Sequence, residues 1–152
     1  MKLCKFVLFL FFFSCSVVLT IPKNPSFEIE RIWKELDPHP KLKSSFMEDK
    51  WAIIGYILIC SRDFFLIDKL KFKWTGKNLD NVSFSIYKDS KNAEPLLIED
   101  NFIGDGIWQS QKQRVKFILK EKVGTRSRFY LVANFKDSQK TLLKEGNFEI
   151  LF

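Results

Sequence analysis

The chain has 152 residues, 46% of them apolar and 28% charged, and its 17 Phe, 4 Trp and 3 Tyr supply more large apolar side chains than a disordered polymer carries. That length suits one domain around one core. The formal charge of +7 fits an acidic partner and ordinary solubility equally well, so the placement of charge, not its sum, has to identify a binding face.

Residues 1–20 read as a cleavable secretory signal. Met1 to Lys5 form a short basic start, Phe6 to Phe13 an uninterrupted apolar run, and Ser14-Cys15-Ser16 a small-residue exit. Cleavage after Ser16 places small residues ahead of the cut, and cleavage after Thr20 uses Val18 and Thr20; the sequence does not choose between them. Two rivals stay open. Apolar character continues from Phe6 to Ile21, close to the lower limit of about 17 residues for a bilayer span, which describes a retained anchor. Lipidation at Cys15 is the other, although Phe12-Phe13-Ser14 fits a lipobox only at its last position. A signal implies a secreted, periplasmic or cell-envelope protein, membrane-anchored if the leader is kept. Its removal leaves Cys60 alone, so the domain is disulfide-free and must rely on its core.

Residues 21–50 read as a spacer followed by a short amphipathic helix. Ile21 to Ser26 holds two prolines and no periodicity. Ile29, Ile32, Trp33 and Leu36 then recur at the helical spacing i, i+3, i+4, i+7, and Asp37-Pro38-His39-Pro40 ends the element, although Phe27, Ile29 and Arg31 also alternate and leave a strand open for its first residues.

Residues 51–152 read as a β domain. Ala52 to Cys60 is apolar on both faces and should be a central strand, with Cys60 a buried, inert thiol at its end. In Phe64 to Trp74 the residues Leu66, Leu70, Phe72 and Trp74 alternate against Lys69, Lys71 and Lys73. The same period of two runs through Val82 to Ile86, Val115 to Leu119, Phe129 to Phe135 and Phe148 to Phe152, with Leu96 to Ile98 a shorter candidate. Turn residues separate these segments, and 137–140 reads as one of the loops. No helical pattern intervenes to make parallel crossovers. The fold class is therefore mainly β, an antiparallel two-sheet β-sandwich of immunoglobulin-like or C2-like kind, with a closed barrel second.

Catalytic chemistry finds little support. His39 is the single histidine, in a stiff connector, and one His with one remaining Cys cannot build the usual zinc site. No glycine-rich phosphate loop occurs. We read the protein as not an enzyme. Three weaker features remain. Glu99, Asp100, Asn101 and Asp105 share a glycine-bearing stretch that reads as a loop, the oxygen-rich chemistry that calcium takes, against the plain reading that turns favour Asp, Asn and Gly. Lys69, Lys71 and Lys73 on one strand, with Arg114, Lys116, Lys120 and Lys122 on another, become a panel for anionic lipid or glycan if the two strands are neighbours. Trp108 follows Gly106-Ile107 in a stretch that reads as a loop and is the tryptophan placed to stack on a ligand. The expectation is an exported, non-catalytic binding or structural module that recognises a protein through loops or a sheet edge, with no specific nucleic acid partner. The alternative is a peripheral binder of anionic membrane or acidic polymer through its lysine faces, with or without calcium. Asn81-Val82-Ser83 is also an N-glycosylation sequon.

Overall fold

The eight strands follow the chain as β1 (Ser26–Leu36), β2 (Lys50–Cys60), β3 (Phe65–Trp74), β4 (Ser83–Lys88), β5 (Phe102–Gln109), β6 (Arg114–Val123), β7 (Arg126–Phe135) and β8 (Phe148–Leu151). One helix, α1 (Asp137–Glu145), separates β7 from β8, and single 3-10 turns lie at Glu99–Asn101 and Ser110–Lys112. The structure, a computed structural model, describes residues 25–36, 50–89, 97 and 99–151. The leader, the connector around His39 and all of the 96–98 strand candidate except Leu97 lie outside them.

All eight strands belong to one sheet in the order β1-β2-β7-β4-β5-β6-β3-β8. Every pairing is antiparallel. The sheet curls until its two edge strands, β1 and β8, approach each other, so the molecule is nearly barrel-shaped. The mainly β, antiparallel expectation stands. The division into two sheets is corrected, because β4 pairs with β5 from Phe84↔Gly106 to Tyr87↔Phe102 and carries the hydrogen-bonded ladder through the middle.

β2 shows why an all-apolar run makes a central strand. Ala52, Ile54, Ile57 and Ile59 enter the main core, while Trp51 and Ile53 join a second apolar cluster on the outer side of the sheet. A register shift between Ile53 and Gly55 moves the inward set from even to odd positions. The main core is aromatic: Phe72 meets Phe117 edge-on at 5.8 Å between ring centroids, and Phe84 meets Phe148 at 5.6 Å. Phe72, Phe84, Phe117, Phe129 and Phe135 are all buried in it.

The short helix expected over Ile29 to Leu36 is a strand. β1 pairs with β2 along its length, with a register shift between Arg31 and Lys34. Phe27, Ile29 and Trp33 pack inward on the main core, whereas Ile32 and Leu36 pack on the outer cluster. A strand half-buried on both sides and interrupted by a bulge reproduces the i, i+3, i+4, i+7 spacing of a helix.

The segment 102–109 is strand β5, not a loop. Gly106 lies opposite Phe117, and a Cβ there would come within 2.6 Å of Val115 Cγ1 and 2.8 Å of Phe117 Cζ. The glycine is a requirement of close strand-to-core packing, not of a turn. Asp137 begins α1, where the Lys136 backbone N–H donates to Gln139 Oε1 at 2.7 Å and Leu143 is buried. With Leu142 and Leu143 as its only large apolar residues, α1 has too little periodicity to read from sequence.

Candidate functional site

The conditional part of the basic panel is met, since β3 and β6 are neighbours. Their register sets Lys71 opposite Lys116, Lys73 opposite Arg114, and Lys69 opposite Ile118. Directly paired residues project from the same side of a sheet, and inward Leu70, Phe72, Val115 and Phe117 are buried in the core. The basic side chains therefore stand together on the outer face. Strands run about 4.8 Å apart and alternate residues about 6.6 Å apart, so the cations form a grid at roughly those spacings. Lys120 and Lys122 continue the outward row of β6, and both are exposed. Lys122 Nζ lies 5.2 Å over the Phe64 ring. The acidic residues at this face include Asp68, exposed beside Lys69, Glu149 of β8, opposite Lys73, and Asp105, exposed two residues before Ile107 on the outward side of β5.

Like charges directly opposite each other destabilise a sheet. Two such pairs occur on this face, Lys71 with Lys116 and, at the end of the ladder, Lys73 with Arg114, the latter offset by Glu149 on the other flank of Lys73.

Apolar side chains share this face. Phe64 is 71% exposed, Leu66 58%, Ile107 52% and Ile118 61%, and these are the exposed large hydrophobic residues among those described. Ile107 is opposite Lys116, Ile118 opposite Lys69, and Leu66 opposite Lys122. The sequence alternation puts Leu66 on the core side with Leu70; instead a register shift between Ile67 and Lys69 turns Leu66 outward and buries Ile67. Ile118 was legible, because Val115, Phe117 and Leu119 define the inward set and leave it among the lysines. Ile107 was hidden by the reading of β5 as a loop.

The oxygen-rich stretch is divided between a 3-10 turn and a strand. Asn101 ends a 3-10 turn that holds Asp100, and Asp105 lies inside β5, four residues or roughly 13 Å along an extended chain from Asn101. Asp105 Oδ1 accepts a hydrogen bond from Ser85 Oγ at 2.7 Å. Glu99 belongs to the same 3-10 turn as Asp100. Among the described residues no group of three or more His, Cys, Asp or Glu is placed to hold a metal. Trp108 is in β5 and half-buried, its ring 6.1 Å from Phe84 against the core. The loop position expected for it is corrected, since the inward phase of β5 carries it with Gly106. Cys60 is a free, half-buried thiol.

Two further features had no sequence signal. The seam between β1 and β8 encloses a pocket of about 280 Å³ whose walls include Ile29, Arg31, Trp33, Ile54, Phe148 and Glu149. Arg31 clasps it, donating to Asn147 Oδ1 at 2.7 Å and to the Leu143 carbonyl at 3.1 Å. On the opposite outer face, Tyr56, Tyr130 and Tyr87 stand in one cross-strand row over β2, β7 and β4. Burial pushes the Tyr87 and Tyr130 phenols up from their ordinary value, and the hydrogen bond to Glu30 does the same for Tyr56.

No protein-family model, curated protein or solved structure matches this chain. No helix among the described residues is long and apolar enough to cross a membrane.

Proposed function

We propose that the protein is an exported, non-catalytic binding module that docks on anionic surfaces through the outer face of β3 and β6. The observation that carries this reading is the gathering of Lys69, Lys71, Lys73, Arg114 and Lys116 on one face, with Lys71 directly opposite Lys116. The fold bears the repulsion of Lys71 and Lys116, and an acidic partner relieves it. Retention on heparin and on vesicles containing phosphatidylserine tests the reading. Binding that persists at physiological salt and drops on Lys71→Gln with Lys116→Gln supports it, whereas elution at low salt, unaffected by the substitutions, removes it. Export is tested separately by the intact mass of the native protein: a soluble species starting at Val17 or Ile21 supports a cleaved signal, and a full-length membrane species opposes it.

Protein recognition at a sheet edge is the second reading, favoured by the β1–β8 seam, where two edge strands meet through an Arg31 clasp. A specific partner recovered by the native protein and lost on Arg31→Glu would support it. Recovery indifferent to that change would assign the contact elsewhere.

A further inference from the structure

We propose that the anionic surface is a phospholipid bilayer with acidic headgroups, and that Leu66, Ile118, Ile107 and Phe64 enter its interface while the basic side chains remain among the headgroups. The inference rests on the anionic reading of the same face and specifies its partner. A soluble polyanion such as a sulfated glycan uses the lysines and leaves the exposed apolar side chains in water. A bilayer interface takes both, because apolar groups reach the acyl boundary and cations stay with the phosphates. The register interleaves the two kinds: Leu66 is opposite Lys122, Ile118 opposite Lys69, and Ile107 opposite Lys116. A long lysine stem lies along its apolar neighbour and carries its ammonium outward to the headgroup level. The exposures, from 52% for Ile107 to 71% for Phe64, leave enough of each side chain free to be desolvated on docking. A second copy of the chain is the poorer occupant. Apposing this face to itself brings Lys69, Lys71, Lys73, Arg114 and Lys116 against the same cations.

The test compares variants in the native chain, so that any membrane affinity of residues 1–20 is common to all. Phosphatidylcholine vesicles with and without phosphatidylserine are set against heparin, a lipid-free polyanion. Leu66→Ser with Ile118→Ser should weaken binding to the acidic vesicles about tenfold and leave heparin retention unchanged; Lys71→Gln with Lys116→Gln should weaken both. Full vesicle binding by the apolar variant overturns insertion and leaves the anionic reading standing. Vesicle and heparin binding that ignore the lysine changes overturn both. Phe64→Trp supplies an independent readout: quenching of its added emission by brominated acyl chains is expected, and emission unchanged by bound vesicles refutes insertion whatever the serine variants do.

Discussion

Trp74 is held between two glycines, and this is where a single methyl group should be felt most. A Cβ on Gly146 would come within 2.0 Å of the Trp74 ring, and one on Gly76 within 2.4 Å. The Trp74 indole N–H donates to the Lys77 carbonyl at 2.5 Å, and the ring packs on Phe148 at 4.7 Å, so the ring has little freedom to retreat. Gly146 has φ −95°, a region open to any residue, so the constraint is steric and not conformational. Gly146→Ala should cost about 1–3 kcal/mol in urea unfolding. With Trp74→Phe in the background that cost should shrink, and full additivity of the two changes would show that the ring is not the obstacle. The tyrosines set a second expectation at this scale. Their pKa values are raised from 10.0 in the folded protein, by burial for Tyr87 and Tyr130 and by the bond to Glu30 for Tyr56. Phenols of the unfolded chain release their protons first, so the stabilisation is complete below about pH 10 and falls as pH rises toward the folded values. Melting temperature followed from pH 8 upward should drop beyond about 10. Tyr87→Phe should flatten that decline; an equally steep decline in the variant would exclude Tyr87 as a source.

At the scale of elements, the closure of the sheet depends on side chains more than on backbone. β1 and β8 are the two ends of the strand order, and Arg31 joins them by its bonds to Asn147 and Leu143. α1 supports the same corner, with Asp137 paired to Lys50 at 2.8 Å, Lys140 paired to Glu35, and Lys144 over the Trp33 ring. The bond from Lys140 holds the Glu35 carboxyl below its ordinary pKa. Arg31→Ala should therefore lower stability by about 1–2 kcal/mol. It should also speed amide exchange in β1 and β8 ahead of β2 and β7, and uniform exchange across the sheet would contradict the clasp. These elements also mark how far the sequence could be read. Strands with one buried face, such as Arg114 to Val123, announced themselves by alternation. β1 did so only over Phe27, Ile29 and Arg31, since partial burial on both sides with a bulge at Arg31–Lys34 imitates a helix beyond them. β5 did not, since Gly104, Asp105 and Gly106 resemble a turn when the side chains of Val115 and Phe117 that exclude a Cβ at Gly106 are unknown. The lysine rows were legible strand by strand, but their meeting depended on the β3–β6 pairing, which no local pattern encodes.

For the whole molecule, the two outer faces of the curled sheet have different characters. The side formed by β1, β2, β7 and β4 carries the apolar and tyrosine cluster, and the side formed by β5, β6 and β3 carries the basic and apolar grid. A charge reversal at the centre of the grid separates binding from folding. Lys116→Glu sets a carboxylate opposite Lys71 in place of an ammonium, and should raise stability by about 0.5 kcal/mol while weakening retention on acidic vesicles. A fall in both together would mean that the residue acts by packing.

The strand order also has a temporal side. The Ser61 N–H donates to the Thr125 carbonyl at 3.2 Å, joining the β2–β3 and β6–β7 connections at one end of the sheet. Each leads from one side of the sheet to the other: β2 adjoins β7, not β3, and β6 adjoins β3, not β7. As the chain is synthesised, β2 lacks one flank until Arg126–Phe135 has been made, and β3 lacks its last neighbour until β8. Such distant pairings refold over roughly milliseconds to seconds, and stopped-flow tryptophan fluorescence should find that range. Until Arg126–Phe135 has been made, the two halves of the strand order, β1-β2 and β4-β5-β6-β3, have no strand between them, so the synthesis of β7 is what makes the sheet continuous.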